Sequence, residues 1–181
     1  MRLLRTVIMA MGELEVECTK TNFSLIIWRV CNVCMSLFFA LASYVQINDP
    51  DAGLWMVCYA VPANLCLLIS IKPNITETLL WRRIAKLHVL LSTAVVCMLG
   101  WTLYKARITD IFQQEEGREF SGLLLTIFWL LLCQSSGRNS IGTLRLSTAV
   151  AITVIPILAW LYYYINTELR TNWPLHCKTA L

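Results

Sequence analysis

The chain has 181 residues, 57% of them hydrophobic and only 14% charged, with a mean hydropathy of +0.63 and a formal net charge of +4. A water-soluble domain places charge on about a quarter of its residues, so this composition excludes one. The few charges are scattered between apolar runs and build no basic face for nucleic acid, and no spaced ligand motif calls for a metal or any other cofactor.

Residues 1–23 open with a short apolar core, but Glu13, Glu15 and Glu17 follow it with no clear small-residue cleavage site. This pattern is a leader left in the cytosol and open to disorder, not a removed signal peptide. Five apolar runs then follow, at about 24–47, 54–71, 87–104, 120–136 and 144–165. Each is close to the roughly 20 residues that a helix needs to cross hydrocarbon. The runs are continuous and do not alternate, so the expected fold is all-α: a polytopic membrane helical bundle of about five transmembrane helices over 24–165. Residues 166–181 form a short tail beyond it.

The first run carries Asn32, Ser36, Ala40 and Ser43 on one helical face, a small and polar stripe suited to contact with another helix. The Cys31-x-x-Cys34 pair lies inside the same run, and only Arg29, near its boundary, could lower a thiol pKa there. It reads as core rather than redox chemistry. Between the first and second runs stands Gln46-Ile47-Asn48-Asp49-Pro50-Asp51-Ala52-Gly53. Pro50 biases Asp49 away from helix and Gly53 accepts any backbone angle, so this is the turn of a hairpin. The second run contains Pro62, which removes a helical N–H and frees a carbonyl, and then Asn64 near mid-depth.

His88 opens the third run, where it is expected at headgroup level. Ser92 and Thr93 lie deeper, at a depth similar to that of Asn64 and of Thr153 in the fifth run. Asn32, Asn64, Ser92, Thr93 and Thr153 are therefore expected to form a buried polar layer that hydrogen-bonds between helices. None of these residues ionises, which argues against a translocation path. The loop Glu115-Glu116-Gly117-Arg118-Glu119 enters the fourth run, where its acids meet the positive end of the helix dipole.

Five crossings put the chain ends on opposite sides. The side holding the N-terminus carries ten of the fifteen Lys and Arg residues, so it is read as cytoplasmic and the C-terminus as exoplasmic. The turn at Asn48, Asp49 and Asp51 then shares the exoplasmic face with Glu115, Glu116, Arg118 and Glu119, and Arg118 is placed to pair with Asp49 or Asp51. These seven residues are the candidate binding site: an acidic mouth for a membrane-protein partner, a lipid headgroup or a cation. The second reading is a small cation or solute carrier or channel with that mouth as its vestibule. The third is a lipid-modifying membrane enzyme using the same carboxylates, although no catalytic constellation stands out.

Several stretches carry a likeness to a known family. They are Trp28-Arg29-Val30-Cys31-Asn32, Val45 to Ala52 with Trp55 and Tyr59, Glu115 to Leu123, Cys133-Gln134-Ser135-Ser136, Tyr164-Ile165-Asn166 and Trp173 to Thr179. On these residues the chain resembles the transmembrane protein 220 family and looks like a vertebrate member of it. The resemblance covers 28 to the C-terminus. It implies a multi-pass membrane protein of unassigned biochemical role and carries over no catalytic residues.

Overall fold

The structure is a computed structural model that describes residues 2–48, 51–106, 115–134, 142–166 and 168. All of its regular elements are helical: α1 (Arg2–Val45), a 3₁₀ turn (Gln46–Asn48), α2 (Ala52–Ile71), a second 3₁₀ turn (Pro73–Glu77), α3 (Leu79–Lys105), α4 (Glu115–Gln134) and α5 (Thr143–Ile165). The all-α reading therefore holds. Among the described residues, three segments are long and apolar enough to cross a membrane: Asn22–Val45, Ala52–Ile71 and Leu79–Lys105. The fifth run contributes a shorter apolar helix, Thr143–Ala159. Helix α4 has 20 residues, about 30 Å at 1.5 Å per residue; with its charged first turn among headgroups, about 22 Å of it remains for hydrocarbon.

The core is a single cluster in which α1 and α2 pack as an antiparallel hairpin, α3 and α4 pack together, and α5 lies against α1 and α4. Trp28, Met35 and Phe39 of α1, Cys66 and Ile69 of α2, and Leu123, Trp129 and Leu130 of α4 are almost fully buried. Outside them Leu37, Leu41, Leu54, Val57, Leu90 and Met98 are exposed. An apolar exterior around a core no more apolar than itself is the pattern that lipid imposes, because acyl chains give no hydrophobic reward for hiding leucine.

Two sequence boundaries shift. Helix α1 extends without a break from the first run back to Arg2, so the leader and the first span share one helix. The third helix starts at Leu79, eight residues before its apolar run, because Thr78 caps it by accepting from the Trp81 N–H at 3.4 Å. Trp81, Ala85, His88 and Ser92 then make one buried face at helical spacing. The bases around Trp81 belong to a helix, and Arg82 ties it back by donating from Nε to the Thr76 carbonyl at 3.0 Å. His88 consequently does not sit among headgroups. It is buried beside the Cys58 backbone of α2, and its Nε2 has no hydrogen-bond partner among the described residues.

Candidate functional site

At the N-terminus of α2, Asp51 takes the N-cap position but makes no side-chain capping bond. Its Oδ2 accepts instead from the indole Nε1 of Trp55 at 2.8 Å. Trp55 lies one turn on, so its N–H points back at the carboxylate, as helical side chains lean toward the N-terminus. Tyr59, a further turn along, stacks on Trp55 with ring centroids 6.4 Å apart, and both rings are buried. The Tyr59 hydroxyl then reaches α4. It sits 2.3 Å from where a Cβ on Gly122 would lie, so only glycine fits there. Glu119, one turn before Gly122, is near enough to interact electrostatically with Tyr59. A ladder of Asp51, Trp55 and Tyr59 thus joins the hairpin turn to the first turns of α4.

Of the predicted site residues, Asp51 and Glu116 are exposed, and Arg118 and Glu119 are partly buried. Asn48 and Glu115 are placed by their backbone alone, at the end of the first 3₁₀ turn and the start of α4, and Asp49 lies outside the described residues. The structure thus ties Asp51 to Trp55 and brings Glu119 within electrostatic range of Tyr59.

The expected polar layer divides. Asn32 is fully buried: its Nδ2 donates to the Trp28 carbonyl at 2.8 Å and its Oδ1 accepts from the Cys133 thiol at 3.7 Å. Thr153 is buried, donates to the Ala149 carbonyl at 2.8 Å and lies against Cys31. Ser92 is buried with no hydrogen-bond partner for its hydroxyl among the described residues. Asn64 and Thr93 are exposed and do not join the layer. Each bonds its own helix, Asn64 to the Ala60 carbonyl at 2.8 Å and Thr93 to that of Val89 at 2.7 Å. Depth alone placed them in the layer, but each points away from the core face of its helix.

The small, polar stripe of α1 does contact another helix, as its spacing predicts. Ser36 donates to the Ala63 carbonyl at 2.8 Å and Ser43 to that of Met56 at 2.9 Å, so the α1 stripe bonds the backbone of α2, except at exposed Ala40. At the opposite end from Asp51, Trp28 stacks on Trp129 with centroids 6.1 Å apart, and the Trp129 indole donates to Cys66 Sγ at 3.1 Å. Arg145 lays its guanidinium over the Trp28 ring at 4.6 Å and donates to the carbonyls of Leu132 and Cys133. These carbonyls lie in the last turn of α4, where the helix dipole is negative. In the sequence Arg145 stood only as one more cytoplasmic base, and nothing in its spacing marked Trp28 or α4 as its targets.

These features define a multi-pass helical membrane protein in which a few polar groups, Ser36, Ser43, Asn32 and Arg145 among them, join helices. Comparison with known proteins makes this specific. The family described as "Transmembrane family 220, helix" matches residues 38–135. A Xenopus laevis protein named Transmembrane protein 220 is 47% identical over 155 residues, covering 86% of this chain and 84% of the relative. The chain belongs to the transmembrane protein 220 family. No solved structure matches it significantly.

Proposed function

We propose that this protein is a non-enzymatic binding or support protein of the membrane, with an acidic mouth on its exoplasmic face formed by the turn before α2 and the start of α4. The observation that carries this reading is the ladder from Asp51 through Trp55 and Tyr59 to Glu119 and Gly122. Buried aromatic rings hold it on two rigid helices, the kind of placement that keeps a binding group in position. The mouth suits a group that carboxylates attract: a cation, the ammonium of a lipid headgroup, or the basic surface of a membrane-protein partner.

A carrier needs a polar route through the bundle. The bonds of Ser36 and Ser43 to the α2 backbone, and of the Cys133 thiol to Asn32, favour support over transport, since those groups hold helices together. The test is calcium titration of the full-length protein in phosphatidylcholine nanodiscs, followed by calorimetry. Binding should weaken in both Asp51→Asn and Glu119→Gln. Equal binding by wild type and both variants would remove the acidic mouth as a cation site. The same pair of variants, assayed for binding of a basic peptide, separates a protein partner from a cation.

A further inference from the structure

The outward face of α2 is apolar, as lipid requires, at Leu54, Val57, Leu67, Leu68 and Ile71. Asn64 interrupts it, exposed and thirteenth of the twenty residues of α2, close to the middle of the span. Its bond to the Ala60 carbonyl uses one of its two amide N–H groups. Among the described residues nothing bonds its second N–H or its side-chain carbonyl; in a bilayer this face meets acyl chains, which neither donate nor accept, and leaving such groups unmatched in hydrocarbon is expensive. Thr93 on α3 is equally exposed but needs nothing further, because its single hydroxyl proton already goes to Val89.

We propose that the chain self-associates through this face of α2, with Asn64 of one copy hydrogen-bonded to Asn64 of a second copy. A primary amide carries both donor and acceptor, so two copies related by a two-fold axis satisfy each other in both directions. A second copy is the occupant because it presents the matching group at the matching depth by construction, whereas an acyl chain presents none. Ala60, one turn before Asn64, is small enough to let the two backbones approach.

Energy transfer between two fluorophore-labelled populations of the full-length protein in phosphatidylcholine vesicles, followed on dilution with lipid, tests this. Wild type should associate, Asn64→Leu should weaken association about tenfold, as expected for two lost interhelical bonds, and Asn64→Gln should retain most of it. Thr93→Leu should leave it unchanged. No transfer above chance proximity in wild type, or association of Asn64→Leu as tight as that of wild type, would overturn the proposal. Asn64 lies on an exposed face, so its replacement leaves the core packing in place.

Discussion

At Gly122 the hydrogen that stands in for a side chain leaves room for the Tyr59 hydroxyl. Gly122→Ala would put a methyl group 2.3 Å from that oxygen, so α4 or Tyr59 must move. We expect a loss of about 1–3 kcal/mol, the usual range for overpacking, read as a lower unfolding midpoint in detergent micelles. Adding Tyr59→Phe removes the closest atom and leaves the ring carbon behind it at 3.2 Å, so the double variant should recover most of the loss. If Gly122→Ala is as stable as wild type, Tyr59 does not hold α4 in the way described. Arg145 is the second residue on which a contact between helices depends, through the last carbonyls of α4 and the Trp28 ring. Arg145→Ala should cost about 2–3 kcal/mol, since it removes charge-assisted hydrogen bonds and a cation–π contact together. Arg145→Lys should restore only part of that, because an ammonium lacks the planar fork and stacks poorly.

At the scale of elements, Pro62 links α2 to α3. A residue at 62 with an N–H would bond the carbonyl of Cys58, one turn earlier; proline has none. His88 of α3 is buried beside the Cys58 backbone, where it can take that place. The two effects should be coupled: Pro62→Ala supplies an N–H that competes with His88. Replacing His88 by Phe should therefore destabilise the wild-type background more than the Pro62→Ala background, by about 0.6 kcal/mol, the mean size of an interhelical bond in a membrane. A double-mutant cycle of unfolding in micelles measures this, and strict additivity would show that the freed carbonyl is not what holds His88. Serines on α1 act in the same way, reaching the carbonyls of Ala63 and Met56, so the α1–α2 hairpin is bonded along its length.

At the scale of the whole molecule, the proposed arrangement requires the turn before α2 and the start of α4 to lie on one side of the membrane. A membrane-impermeant maleimide should label Asp51→Cys and Glu116→Cys from outside sealed cells. Thr78→Cys, in the link between α2 and α3, should react only after permeabilisation. Labelling of positions 51 and 116 from opposite sides would dismantle the shared mouth and the even number of crossings between them.

The sequence by itself determined that this chain is a helical membrane protein, where its hairpin turns, and which residue types each span carries; all of these follow from local hydrophobicity and backbone restriction. It also placed Asn32, Ser36 and Ser43 on one helix face correctly, because a single helix repeats every 3.6 residues. Only the tertiary structure decided which face of each neighbouring helix turned inward. In lipid that choice carries little hydrophobic signature, since leucine is as content outside as inside. For this reason Asn64 and Thr93, placed inward by depth, face outward, while His88, Trp129 and Arg145 find contacts on other helices that no spacing along the chain encodes.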